Sequence, residues 1–124
     1  MKMKYRYETN DGRKIVGRSL TRYVRCAPRK IRFVADEIRD KRVDEAYNIL
    51  AYTMKPSAVP AVTKALKAAV DSAKDVHPEP ESLVIGEAIV NDAPMLKRIR
   101  PAAMGRAVRI RKRQSHIFLG LTEE

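Results

Sequence analysis

Tryptophan is absent from this chain of 124 residues, cysteine occurs once, histidine twice, and aromatic residues make up only 6%. Each scarcity removes a class of function. With a single cysteine, Cys26, no intramolecular disulfide can form, and the chain fits a reducing compartment. Cys26 itself reads as a small, half-buried apolar residue. One cysteine and two distant histidines, His77 and His116, leave no C-x₂-C or H-x₃-H spacing for a zinc site. Ser115 and His116 are neighbours on a strand-like segment and point to opposite faces, so they are no catalytic dyad. Neither a phosphate-binding G-x-x-x-x-G-K-[ST] loop nor a G-x-G-x-x-G turn occurs. The shortage of rings argues against binding by serial base stacking on aromatic platforms. No run approaches the ~20 apolar residues of a spanning helix, and Met1 to Tyr7 alternates cations with apolar residues where a signal peptide would be continuously apolar. The expectation is a cytosolic protein, with no metal, cofactor or membrane partner.

What the chain has in excess is positive charge, unevenly placed. Residues 1–35 hold 11 cations and 2 acids, residues 36–92 hold 7 and 11, and residues 93–122 hold 8 and none. Two basic ends around a mildly acidic middle predict a one-sided molecule that binds a polyanion, with phosphate backbone the obvious one. The densest stretch is Met95 to Gln114, with Lys97, Arg98, Arg100, Arg106, Arg109, Arg111, Lys112 and Arg113 and no acid. Burying such a segment in an apolar core would cost several kcal/mol for each unpaired cation. Its charges must face water or an anion.

At this length a single domain with one modest core is expected. Residues 1–16 contain an Asn10-Asp11-Gly12 turn signal and read as an extension, either a loose arm or a small local hairpin. Gly17 to Arg25 reads as a cationic strand carrying Arg18, Arg22 and Arg25. Pro28 suits the first turn of a helix whose apolar stripe is Ile31, Val34, Ala35 and Ile38, with Arg29, Lys30 and Arg32 at its start. Asp44 is the expected N-cap of a second helix, through about Tyr52, with Ala46, Ile49 and Leu50 facing inward. Ser57 is the expected cap of a third, whose stripe is Val62, Leu66, Ala69, Val70 and Ala73. The acids Asp36, Glu37 and Asp40 are interleaved with Arg39 and Lys41 and read as a solvated face. Leu83 to Asn91 and Ser115 to Thr122 read as apolar strands.

The cationic stretch lies between those two strands, so the simplest topology is one long hairpin, about residues 91–114, whose base alone belongs to the core. Arg109, Arg111 and Arg113 share one parity, and Ile117, Leu119 and Leu121 take the same parity beyond them. A bulge, a strong twist or exit from the core near Gln114 would account for the change. The hairpin also carries Met95, Leu96, Ile99, Ala102, Ala103 and Met104. An isolated ribbon with such apolar residues is marginal in water, and a partner covering both faces would remove that problem. RNA is favoured over DNA, since a compact body with a long arm suits an irregular shape better than a regular groove.

The segments A-P-R-K-I-R-F-V-A-D-E-I-R (27–39) and N-D-A-P-M-L-K-R-I-R-P-A-A-M-G-R-A-V-R-I-R-K-R-Q-S-H-I (91–117) closely resemble the large-subunit ribosomal protein twenty-two family, over roughly residues 18–122. The resemblance implies an α+β fold, three helices packed on a three-stranded antiparallel sheet, with a long protruding β-hairpin reaching through ribosomal RNA to the nascent-peptide exit tunnel. It implies a structural protein, not an enzyme, that binds large-subunit ribosomal RNA, assists assembly, and meets neighbouring ribosomal proteins and, transiently, the nascent peptide. By position, Leu96, Lys97, Arg98, Ile99, Arg100, Pro101, Ala102, Ala103 and Met104 would form the tunnel tip. Lys97, Arg98, Arg100 and Arg106 at or near the tip, and Arg109, Arg111, Lys112, Arg113 and Ser115 along the returning arm, would hold RNA, with Arg18, Arg22, Arg25, Arg29, Lys30 and Arg32 on the globular part. Ala102 and Met104 stand where the family often has basic residues, so this tip is less cationic. Cys26-Ala27-Pro28 resembles a Ser-Pro helix start that has lost its cap. Two other classes have sequence features to answer: a basic nucleoid or other DNA-binding protein, and an RNA-modifying enzyme, for which a cofactor loop or polar catalytic cluster is missing.

Overall fold

A computed structural model describes residues 8, 9 and 11–123. The segment Met1–Tyr7, Asn10 and Glu124 lie outside the described residues, and so does half of the expected N-terminal extension over residues 1–16. What is described of that extension is a local hairpin. Glu8 bridges to Lys14, and the amides of Gly12 and Arg13 donate to the Thr9 carbonyl (3.0 Å) and the Thr9 Oγ1 (3.0 Å).

The first strand, β1 (Ile15–Val24), is followed by helices α1 (Pro28–Ile38), α2 (Val43–Tyr52) and α3 (Val59–Lys74), and then by two long strands, β2 (Val84–Pro101) and β3 (Ala107–Thr122). The sheet is antiparallel throughout in the order β1-β3-β2, which makes β3 its centre and β2 an edge. This is the α+β arrangement expected, with β1 starting two residues earlier than the composition indicated. The helices cover one sheet face, α3 on β1 and β3, α1 on β2.

The helical stripes lie where the 3.6-residue period put them: Ile31, Val34, Ala35 and Ile38 of α1 are fully buried, as are Val62, Leu66, Ala69 and Ala73 of α3. They meet Ile85, Ala88, Val90, Ile117, Leu119 and Leu121 of the sheet. The alanines of α3 let the strand come close. A Cβ on Gly17 would sit 2.6 Å from the Ala73 Cβ and 2.7 Å from the Ala69 carbonyl oxygen, so β1 needs glycine there.

Two expected caps are replaced by tertiary or turn contacts. At α2 the N-cap is Arg42, two residues earlier than Asp44, because the buried Val43 donates its amide to the Leu83 carbonyl (3.0 Å) and so draws the helix start against the strand. Asp44 lies in the first turn, where a carboxylate suits the helix dipole. At α3 the N-cap is Ala58 and Ser57 makes no cap bond; the Ala58 and Val59 amides instead donate to the Lys55 carbonyl (3.1 and 3.0 Å). Ala27 begins α1 without a side-chain cap, and Cys26 beside it is buried.

Candidate nucleic-acid interface

β2 and β3 stay paired from Val84↔Thr122 to Pro101↔Ala107, yet only the base of this ladder is covered. Three supports end together. The β1 pairing stops at Val24↔Ser115, the buried positions of β3 begin at Gln114, and β2 is interrupted between Ala93 and Leu96. There Ala93 faces Gln114 and Leu96 faces Lys112, so β2 carries one residue more than β3, a bulge at Pro94-Met95. Proline has no amide to give a ladder and is suited to such a place. β3 keeps its alternation through the root. Its odd face therefore passes from Leu121, Leu119 and Ile117 to Arg113, Arg111 and Arg109 by leaving the core, with the bulge in the opposing strand. At about 3.3 Å per residue, the paired positions beyond the root, Leu96 to Pro101, reach on the order of 20 Å.

The register sorts the charges onto two faces. Directly opposed residues share a face. One face pairs Lys97 with Arg111 and Ile99 with Arg109, and continues to Arg113; the other pairs Leu96 with Lys112, Arg98 with Ile110 and Arg100 with Val108. Both faces are cationic, since β2 adds Lys97 to the face of the β3 arginines and Arg98 and Arg100 to the face of Lys112. On the second face each cation opposes an aliphatic side chain, and Leu96 and Ile110 are half-buried along its diagonal. On the first, Lys97 and Arg111 meet head-on, an arrangement that destabilises an isolated ladder by a few tenths of a kcal/mol or more. Among the described residues no carboxylate pairs with any of the eight hairpin cations. An external anion between them converts repulsion into two charge-assisted hydrogen bonds.

The ladder register carries Ala102 against Arg106, so the tip is a three-residue connection, Ala103 to Gly105. Met104 (φ 60°, ψ 34°) and Gly105 (φ 71°) are both left-handed, the Arg106 amide donates to the Ala103 carbonyl (3.4 Å), and Ala102 donates to Arg106 (2.8 Å). Positive φ at both central residues is the requirement of a type I′ turn, which matches the twist of the strands it joins. Gly105 meets it freely, whereas Met104 carries a side-chain penalty. Met104 is 96% exposed and Ile99 73% exposed, large apolar groups with nothing of the chain over them.

The globular candidates fall into three groups. Arg25 joins Leu96, Arg98, Lys112, Arg113 and Gln114 around a cleft at the root of the hairpin, so the end of β1 and both arms contribute cations to one place. Arg22 is exposed near a bulge in β1, where Tyr23 adopts a positive φ (56°), donates its amide to His116 Nδ1 (3.1 Å) and meets the imidazole edge-on. Arg18 is half-buried on β1. Arg29 and Lys30 are exposed in the first turn of α1, which has no acid. Cations at that end oppose the helix dipole, and a bound anion would offset them.

Arg32 and Ser115 have structural partners. Arg32 donates through Nε (3.2 Å) and Nη2 (3.1 Å) to the Val90 carbonyl and pairs with Asp92 (3.7 Å), and Arg39 donates to the Ala88 carbonyl (2.7 Å). Both thereby satisfy carbonyls on the free edge of β2. Ser115 is fully buried and its Oγ donates to the Cys26 carbonyl (2.6 Å), fastening the start of α1 to the root. The odd parity it shares with Ile117 and Leu119 is the sequence signal for that interior position.

Among the described residues two groups have shifted ionisation, both outside the hairpin. Burial, aided by Asp71, pushes the Tyr47 phenol up, and a hydrogen bond to Asp71 raises Lys74. No three His, Cys, Asp or Glu side chains converge to hold a metal among the described residues, and no described helix is long and apolar enough to cross a membrane.

Residues 19–122 match the family described as ribosomal protein L22p/L17e. Similar proteins include the large ribosomal subunit protein uL22 of Oceanobacillus iheyensis, 48% identical over 108 residues covering 86% of this chain and 95% of the relative. The protein of that name from Desulfitobacterium hafniense is 45% identical over 86% of this chain and 94% of its own length. That from Clostridium novyi is 46% identical over 86% and 96%.

Proposed function

Because the chain belongs to the ribosomal protein L22p/L17e family, we propose that it is a structural constituent of the large ribosomal subunit that binds ribosomal RNA without catalysis of its own. The observation that carries this reading is the hairpin, an arm standing clear of the core with seven cations on two faces, Lys97 against Arg111 and no acid to pair them. Phosphates threaded along both faces release counterions and supply salt-dependent affinity. Residues 17–124 act as one RNA-binding domain, working in the ribosome in the cytoplasm beside other ribosomal proteins.

On the same reading, Arg18, Arg22, Arg25, Arg29, Lys30 and the arm cations hold RNA, and Leu96 to Met104 line the nascent-peptide tunnel. Arg32 has donors left over after Val90, and Ser115 serves from inside by fixing the root. The exposed Ile99 and Met104 suit a site enclosed by RNA, since free in water they gain nothing.

Two measurements test this. The purified chain should bind large-subunit ribosomal RNA with a steep salt dependence and in preference to duplex DNA at equal salt. Equal affinity for DNA would favour a general nucleic-acid binder. In assembled particles, Arg98→Cys offers a crosslinking site while Cys26 stays buried. Adducts to ribosomal RNA and nascent chain are expected; adducts confined to solvent-side proteins would remove the tunnel placement.

A further inference from the structure

Phe33 is the one residue of the apolar type on α1 that points away from its buried stripe. Ile31, Val34, Ala35 and Ile38 are fully buried, whereas Phe33 is 53% exposed. It shares a surface with Arg29 and Lys30, which precede it by four and three residues and are therefore its helical neighbours. From the turn before α3, Lys55 places its Nζ 4.8 Å from the ring centroid. Arg29, Lys30, Phe33, Lys55, Pro56 and Ser57 line a shallow cleft between the two helices. None of the three cations has a carboxylate partner among the described residues. Along the helix Asp36, three residues beyond Phe33, pairs with Arg39, and Glu37, one turn beyond, accepts from Thr53 Oγ1 (3.4 Å), so the cleft has a cationic side toward Arg29 and Lys30 and an acidic side behind the ring.

We propose that this cleft is a binding site for one unpaired nucleotide of single-stranded RNA, the base stacked on Phe33 and its phosphates held by Arg29, Lys30 and Lys55. This rests on the reading of the protein as an RNA binder but concerns a surface other than the hairpin, and it names the form of RNA taken there. Two features select that ligand: unpaired cations call for an anion, and an exposed aromatic face calls for a planar partner. An acidic peptide supplies only the first. A base in a duplex already has both faces stacked, so an unpaired one is needed. Lys55 now covers the ring. A lysine–ring contact at an exposed site is worth about 2- to 5-fold in an equilibrium, while a base on an aromatic side chain is worth about 5- to 150-fold. The base displaces the ammonium, and the flexible lysine stem carries it to a phosphate.

The test uses the full chain with two probes, the octamer r(A)8 bearing one 2-aminopurine and a blunt 12-base-pair RNA duplex. Both are titrated with the natural sequence and with R109Q/R111Q, which weakens the hairpin's share of binding. In either background Phe33→Leu keeps a helix-forming apolar residue. It should weaken r(A)8 at least about fivefold and abolish the 2-aminopurine quenching, while leaving the salt slope unchanged and duplex binding within about twofold. Lys30→Gln should instead lower the salt slope by about 0.7. Unchanged r(A)8 affinity and quenching in Phe33→Leu, beside the expected loss in R109Q/R111Q, would overturn the stacking site and leave the hairpin reading standing. Equal loss of both probes in Phe33→Leu, or displacement of r(A)8 from the cleft by octaglutamate with Phe33→Leu weakening the peptide as much, would also overturn it. If the natural chain bound neither probe at 50 mM salt, the RNA-binding reading itself would fail.

Discussion

Lys97 and Arg111 are opposed across the arm with no acid in reach, so changing one sign separates the stability of the free hairpin from its affinity for RNA. Lys97→Glu places a carboxylate opposite Arg111 and diagonal to Arg109 and Arg113. Relief of the like-charge pair and gain of an exposed ion pair are each worth about 0.2–1 kcal/mol. The arm lies beyond the core, so this gain is local: amide exchange of residues on both arms should slow by roughly 2- to 20-fold at low salt, while the thermal midpoint of the core stays put. RNA binding should move the other way. At about 0.7–0.9 per neutralised phosphate, seven engaged arm cations give a slope of log K against log salt of about −5 to −6. Reversing one charge removes one contact and repels a second phosphate, which lowers the slope by about 1.5–2. The assay is a salt series of titrations with a large-subunit RNA fragment, beside hydrogen exchange on the free protein. An arm that exchanges faster in Lys97→Glu would refute the opposed pairing, and an unchanged slope would refute phosphate contact at this face.

Other outcomes follow from single contacts. Met104→Gly removes a left-handed side chain from the I′ turn, and protection of the Ala102 amide should rise by about 1 kcal/mol with no change in the global melting curve. Gly17→Ala forces a methyl to within 2.6 Å of Ala73 Cβ; a loss of about 1–3 kcal/mol in denaturant unfolding is expected, with the salt slope of the folded protein unaltered. Ser115→Ala leaves the buried Cys26 carbonyl without its donor and should cost about 1–3 kcal/mol. If Ser115 contacted RNA directly, binding would fall with little loss of stability.

The helices were legible because a 3.6-residue stripe survives in any environment that has an inside, and all of Ile31, Val34, Ala35 and Ile38 lie at zero exposure. The arm was legible as charge that no core accepts. Its two faces were not, because pairing depends on where the turn falls: the ladder centres on Met104, with Ala102 against Arg106, so Lys97 meets Arg111, whereas a two-residue Met104-Gly105 loop would have set it against Lys112. The caps at Asp44 and Ser57 failed for another reason. Local signals name the best side chain for a helix start, but backbone carbonyls set these starts instead: Leu83, brought by the fold, takes the Val43 amide ahead of Asp44, and Lys55, in the preceding turn, takes the Ala58 and Val59 amides. Arg32 and Arg39 read as surface charge, since nothing local announces that β2 is an edge whose carbonyls need donors. The scarcity of rings argues against serial stacking, and it leaves room for stacking of one base at Phe33.

The Pro94-Met95 bulge and the turn at Met104 and Gly105 bracket a stretch of regular ladder that, among the described residues, stands beyond the covered sheet and meets Arg25 at the root cleft. Such a stretch can change length independently of the body. Adding one residue to each strand moves the tip outward by about 3.3 Å but exchanges its two faces, and adding two to each moves it by about 7 Å with the faces restored. The reach of this arm is therefore adjustable in a coarse increment that preserves its chemistry, and every intermediate length presents the tip turned over.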